Sequence, residues 1–384
     1  MSALDSYFRD FLAGIRPTKA QRDDYRDGHK RLTDRLKAEE ELKPIVVGTF
    51  LQGSYRRSTA VRPIGDSRPD VDVIAVTRLS SAEYTPREAL DLFVPFLDEH
   101  YEGEWEPQGR SFGIELSKVE LDLVVTSAPN EAEEGLLLSD AITLSRSVED
   151  LEAWDLGGYD AVRKSAAQYD VERALIASVL KRAGWQLSPL EIPDRKANSW
   201  QDTHPLAQID WTVGKNRDTN KHYVNVVKAL KWWRKVNHTT PKYPKGYPLE
   251  HLIGQCCPDG IASVAEGVTH TLEKIRDDYA GHAAAKIAPY IQDHGVAQDV
   301  FRRVTGEEFA EFHGQVAEAA EVARRAYDDQ DERQSAEAWR ELFGDKFPKP
   351  PPGGGSGGGG DGGSGGKGFT RRDAPSRVGG GRFA

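Results

Sequence analysis

The chain has 384 residues, 29% of them charged and 38% hydrophobic, an ordinary composition for a protein long enough to build two packed lobes. Its net charge of -10 is carried by the body, because the segment from Gly353 onward holds five basic and two acidic residues and leaves about -13 for residues 1–352. So acidic a body repels a polyanion, so nucleic acid is not expected as an obligatory partner, although net charge does not fix where local basic grooves lie. Cys256 and Cys257 are adjacent and bridge poorly, which excludes a disulfide framework and fits a reducing compartment. No apolar run approaches the ~20 residues that span a bilayer. The opening MSALDSYFRDF is amphipathic rather than a secretion signal, so a cytoplasmic, membrane-free protein is expected.

In chain order, Thr18 to Leu42 reads as one long helix, opened by a capping-box pattern of Thr18 and Gln21 and striped by Tyr25, Leu32 and Leu36. Ile45 to Leu51 reads as a short buried strand broken by Gly53-Ser54. After a polar stretch, Val71 to Val76 reads as a strand with both faces apolar. Thr85 to Glu99 has the spacing of a helix, and two strands follow around Phe112 to Leu116 and Val119 to Val125. This order implies an α/β layer with a small mixed sheet. Beyond Ser127 helical patterns dominate, at Tyr169–Ala183, Asn220–Val236, Leu249–Cys256, Ile261–Tyr279, Gly306–Asp328 and Gln334–Phe343. Leu187 to Thr212, with Pro189, Pro193 and Pro205, reads as the crossing between lobes. The expected organisation is a catalytic lobe over 1–187 with an insertion at about 128–188, a helical lobe over 188–352, and a tail over 353–384. With 15 glycines in 32 residues, the tail cannot bury enough apolar area to order itself.

Three features carry chemistry: Gly53-Ser54 after a strand, Asp70-x-Asp72 entering the next, and Asp122 inside a later one. Strand residues two apart share a face, so Asp70 and Asp72 project together. Asp122 lies in the apolar run Glu120-Leu121-Asp122-Leu123-Val124-Val125, where a carboxylate is costly unless paired or bound to metal. Three convergent carboxylates suit hard cations such as Mg²⁺, two of which can clamp an in-line phosphoryl displacement. Glycine lets backbone approach a phosphate closely, and Ser54 with nearby N–H groups can bind its oxygens. Alone, a Gly-Ser is usually a turn and an Asp-x-Asp a solvated edge; the ordered set on successive strands is specific.

L-Q-G-S-Y-R-R-S-T, P-D-V-D-V-I-A-V and E-L-D-L-V-V resemble the DNA polymerase beta nucleotidyltransferase superfamily. More closely they resemble the bacterial cyclic oligonucleotide synthases (CD-NTases), relatives of cyclic GMP-AMP synthase and oligoadenylate synthase. The resemblance runs over roughly residues 40–255, through L-E-I-P-D-R-K-A-N-S-W-Q-D-T-H-P and Y-V-N-V-V-K-A-L-K-W-W-R-K. It implies an α+β, bilobal, polymerase-beta-like fold with a helical C-terminal lobe. It also implies that Gly53 and Ser54 grip a donor triphosphate, and that Asp70, Asp72 and Asp122 hold two Mg²⁺, with Mn²⁺ as a substitute. Asp122 falls on the ion nearest the acceptor hydroxyl. ATP and other ribonucleoside triphosphates would be joined, with pyrophosphate release, into a cyclic di- or trinucleotide second messenger of antiphage (CBASS) signalling.

Further positions keep two readings. Lys231 matches a triphosphate-binding lysine of relatives, with Lys228 one turn earlier; otherwise it is a solvated lysine on an amphipathic helix. Tyr247 is a base-stacking aromatic or a packed core tyrosine. His251 with Cys256 and Cys257 cannot close a zinc site, so buried thiols are expected. Trp232-Trp233 reads as core, and Arg324 to Arg333 as a solvated helix face or turn. Some synthases of this kind are joined through their C-terminal carboxylate to other molecules by a ubiquitin-transfer-like partner, which makes Ala384 a conjugation point. Rival functions are transfer of one nucleotide to a protein, antibiotic or RNA end, and a catalytically silent nucleotide-binding regulator.

Overall fold

A computed structural model describes residues 3–65, 67–68, 70–128, 189–238 and 240–350. The helix expected at Tyr169–Ala183, nearly all of the 128–188 insertion, and the tail with Ala384 lie outside the described residues. Among the described residues, no helix is long and apolar enough to cross a membrane.

The chain starts with helix α1 (Ala3–Ile15) and α2 (Lys19–Ala38). The Thr18–Gln21 capping box forms reciprocally, and Tyr25, Leu32 and Leu36 are buried along one stripe. Strand β1 (Val46–Gln52), the one-turn helix α3 (Gly53–Arg56) and strand β2 (Asp70–Thr77) follow. The segment read as one helix over Thr85–Glu99 is two, α4 (Pro86–Asp91) and α5 (Val94–Tyr101). Pro95 lacks the N–H that would bond back to Asp91, so the helix breaks and restarts one residue before it. Strands β3 (Trp105–Pro107), β4 (Ser111–Glu115) and β5 (Glu120–Ser127) complete the first part of the sheet.

Leu187–Thr212 is more than a crossing. Its described part contains the hairpin β6 (Leu190–Asp194) and β7 (Ser199–Thr203), and helix α6 (Pro205–Asp218) begins within it. The Asp194 carboxylate accepts from the N–H groups of Lys196 and Ala197 at 2.9 Å each, and Asn198 takes φ +51°, which closes the turn locally. Helices α7 (Tyr223–Asn237), α8 (Tyr247–Cys256), α9 (Val264–Asp278), α10 (Ala280–Ala285), α11 (Gly306–Asp328) and α12 (Glu332–Phe343) make up the rest. The Arg324–Arg333 run covers the last turn of α11, a connection, and the start of α12.

The sheet runs β1-β2-β5-β4-β3, with β6 joined to the end of β5 and β7 to β6. Among the described residues, only β2 and β5 pair in parallel; their register sets Asp72 opposite Asp122 and Asp70 opposite Glu120. Alternation along these two strands sorts the side chains. Val71, Val73, Ala75, Leu121, Leu123 and Val125 enter a core shared with α2, α4 and α5. Ile74 and Val76 face the other way, against Leu190, Leu206 and Ile209. Asp70, Asp72 and Asp122 therefore lie on the face that the second core leaves open at the strand starts. A third core joins α7, α8, α9, α11 and α12, and α1 lies within it although it precedes the sheet in sequence. Trp232 and Trp233 are buried in that core, and Cys256 and Cys257 are buried free thiols, as their sequence implied.

Candidate active site

Asp70, Asp72 and Asp122 each present a carboxylate oxygen within 4.8 Å of the others. The parallel register produces this closeness, since side chains at matched positions of adjacent strands stand beside one another. Gly53 brings the β1–α3 turn against them. Its φ of +78° favours glycine, and a Cβ there would lie 1.6 Å from Asp72 Oδ2. On the far side, Gln108 Nε2 donates to Asp122 Oδ1 at 3.1 Å, and Ser111 Oγ donates to Gln108 Oε1 at 3.2 Å. Gly113, opposite Asp122 on β4, leaves room for this bond; a Cβ would sit 2.6 Å from Gln108 Nε2.

The triad is short of positive charge. Asp70 opens to the cleft, yet loss of water to the surrounding protein, together with Asp72 and Asp122, pushes its carboxyl up to about 8. Asp122 is pushed up to about 7, by burial first and then by Asp72 and Glu120. Burial raises Asp72 as well, and Arg57 opposes that rise. Such a group takes up either protons or a cation.

Asp70 and Asp72 line a cleft of about 690 Å³, within the range of small-ligand sites, and Asp122 beside them is not part of its lining. Gly53, Ser54, Asp70, Asp72, Lys231 and Tyr247 all line it, so segments from β1 to α8 meet in one place. Lys228 is buried on α7, one turn before Lys231, and is not part of the lining. Lys231 is not a solvated lysine. Its Nζ donates to Glu250 Oε1 at 2.8 Å, and its side chain is 13% exposed. Tyr247 donates its hydroxyl to Asp293 Oδ1 at 2.6 Å, and the Arg57 guanidinium lies 4.8 Å from its ring centroid. The tyrosine is thus held by its edge and one face while lining the cleft.

Sequence reading missed Arg57, Glu250, Gln108 and Asp293. Glu250 Oε2 accepts from Arg57 Nε at 3.1 Å and from Thr59 Oγ1 at 2.9 Å. Burial would raise this carboxyl, but Arg57 and Lys231 outweigh it and hold it down to about 2. A signal was present: Glu250 interrupts the apolar positions Leu249, Leu252 and Ile253, where an unpaired charge would be costly. Asp293 accepts from Gln208 Nε2 as well as from Tyr247, and Gln208 Oε1 accepts from Gln52 Nε2 at 3.0 Å. Polar contacts thus run from β1 through α6 to the loop after α10.

Residues 1–131 match the family model described as the Second Messenger Oligonucleotide or Dinucleotide Synthetase domain. The chain is 46% identical over 365 residues to the cyclic AMP-AMP-GMP synthase of Enterobacter hormaechei subsp. hoffmannii, covering 91% of this chain and 93% of that protein. The chain belongs to the cyclic oligonucleotide synthases. A second relative, the cyclic AMP-AMP-AMP synthase of an Acinetobacter species, is 31% identical over 347 residues, covering 89% of the synthase described here and 84% of its relative. The fold agrees: the Bradyrhizobium diazoefficiens CD-NTase CdnG, solved in complex with GTP, superposes with a TM-score of 0.62 over 90% of this chain and 96% of that one, at 11% identity. The synthase is therefore a nucleotidyltransferase enzyme with the α+β, polymerase-beta-like fold that its motifs implied. Its acidic triad offers a donor set for a metal ion.

Proposed function

We propose that the synthase joins ribonucleoside triphosphates in the cleft between sheet and helices, with Asp70, Asp72 and Asp122 holding two Mg²⁺ ions. The observation that carries this reading is the register of β2 and β5, which puts Asp72 opposite Asp122 and gathers three carboxylate oxygens within 4.8 Å of one another. All-oxygen donors suit Mg²⁺, and Mn²⁺ as a substitute. Bound there, such ions supply charge neutralisation and a lowered pKa for the attacking hydroxyl.

The chain's own residues do the rest. The Gly53 turn brings backbone to the donor triphosphate without a side chain intervening, and Ser54 offers it a hydroxyl. Lys231 supplies a point charge for phosphate oxygens. Gln108 fixes one oxygen of Asp122 and leaves the other for the acceptor side. Tyr247 stacks on a base with its exposed ring surface, its hydroxyl anchored on Asp293.

The product proposed is a cyclic trinucleotide of adenylate and guanylate, because the 46% identical relative is a cyclic AMP-AMP-GMP synthase. Incubating the purified enzyme with labelled ATP and GTP tests this. A phosphatase-resistant product containing both bases is expected, since a ring has no terminal phosphate. Only linear, phosphatase-sensitive chains, or label on a protein or RNA, would contradict it. Conjugation through Ala384 is a separate proposal carried by tail composition. Deleting residues 353–384 is expected to leave basal activity nearly unchanged and to abolish any higher-mass conjugate in cells.

A further inference from the structure

Glu250 splits its partners between its two oxygens. Oε2 accepts from Arg57 Nε and Thr59 Oγ1, whereas Oε1 accepts from Lys231 Nζ. The two cations are held differently. Arg57 is 4% exposed, packed against the Tyr247 ring, and carried on the short turn after α3. Lys231 is more open, lines the cleft, and sits on a flexible four-carbon stem.

We propose that Glu250 is a positioning residue that parks Lys231 beside the cleft and yields it to the incoming triphosphate while keeping Arg57. The inference rests on the reading of Lys231 as a phosphate ligand. When Lys231 turns to a phosphate oxygen, one acceptor replaces another and the ammonium stays paired. Glu250 stays neutralised by Arg57 and hydrogen-bonded by Thr59, and because Glu250 lines the cleft, water can take the place Lys231 vacates. The reverse exchange, with Arg57 leaving, would strip Oε2 of its charged partner, break the ring contact on Tyr247 and have to move a side chain that is 4% exposed. The asymmetry makes the lysine the movable member. Parking also keeps an ammonium from settling permanently on Asp70 and Asp72, both of which feel its charge.

The direct test follows side-chain N–H signals in the full-length enzyme labelled with ¹⁵N-lysine, ¹⁵N-arginine and ¹⁵N-serine, with the Ser54 amide as an occupancy marker. Adding a non-hydrolysable ATP analogue with Mg²⁺ is expected to shift the Lys231 ammonium signal and leave the Arg57 Nε–H signal in place. Movement of both would overturn the proposal, because Glu250 would then have left as a whole. A shifted Ser54 amide with an unmoved Lys231 would instead refute Lys231 as a phosphate ligand. A double-mutant cycle provides the second reading. Lys231→Met should weaken analogue binding about tenfold in the wild-type background and about a hundredfold in E250Q, where no carboxylate competes for the lysine. Equal losses in both backgrounds would contradict parking, and the spectroscopic test stands if E250Q does not fold.

Discussion

Two groups of charge border the same cleft and are balanced in opposite ways. At the starts of β2 and β5, three carboxylates meet with little to neutralise them, and the carboxyls of Asp70 and Asp122 rise to about 8 and about 7. Across the cleft, Glu250 is held down to about 2 by Arg57 and Lys231. Both groups lose water to the surrounding protein, so burial alone does not separate them. Partners do. A fold that satisfies a buried carboxylate with a guanidinium, a hydroxyl and an ammonium has made a joint; one that gathers three carboxylates with little positive charge beside them has left room for a cation.

The sharpest way to break this contrast is to remove charge from the unbalanced group. Asp70→Asn with Asp72→Asn should lower the rate of pyrophosphate release at least about a thousandfold, or ~4 kcal/mol of transition-state stabilisation. The metal-free melting temperature should not fall, because two mutually repelling carboxylates have gone. Wild-type turnover in the double mutant would remove the triad from the mechanism. The balanced group should respond in the opposite sense. Glu250→Gln leaves Arg57 charged and buried without its partner and should cost about 3 kcal/mol of stability, read as a lower urea midpoint. An unchanged midpoint would show that the joint carries no weight. Gly53→Ala attacks the turn between the groups, where a Cβ meets Asp72 Oδ2 at 1.6 Å. An ångström of displacement at a reacting centre is worth about a hundredfold in rate, and that loss is expected with the fold retained.

The legible parts of the sequence are those in which neighbours along the chain determine the outcome. The Thr18–Gln21 cap, the apolar faces of β2 and β5 and the capped helix Gly306–Asp328 each follow from residues within a few positions. The triad was readable for the same reason, since alternation puts Asp70 and Asp72 on one face and the apolar run around Asp122 marks it as out of place. The break before Pro95 was missed because Leu90, Phe93 and Leu97 keep helical spacing across it, and all three are buried. The β6–β7 hairpin was obscured by Pro193, which lies within β6 opposite Trp200 without ending the strand. Glu250 stood out as a charge among apolar helix positions, but Arg57 as its partner was out of reach, because the pairing spans 193 positions.

Melting across pH 5 to 9, with and without Mn²⁺, tests most directly whether a divalent cation supplies the triad's missing charge. Asp70 and Asp122 hold a proton more tightly in the fold than at their ordinary 3.8, so their contribution to stability is complete below about pH 4 and lost as pH rises through about 7 and 8. Glu250 does not confuse this window, because its contribution is fully present above its ordinary 4.5 and is lost only as pH falls toward 2. The metal-free enzyme should therefore melt at progressively lower temperature toward pH 9. Mn²⁺ should add little at pH 5 and most at pH 9, and nothing in the Asp70→Asn, Asp72→Asn double mutant. An Mn²⁺ increment that is flat across pH, or that survives in the double mutant, would contradict the account.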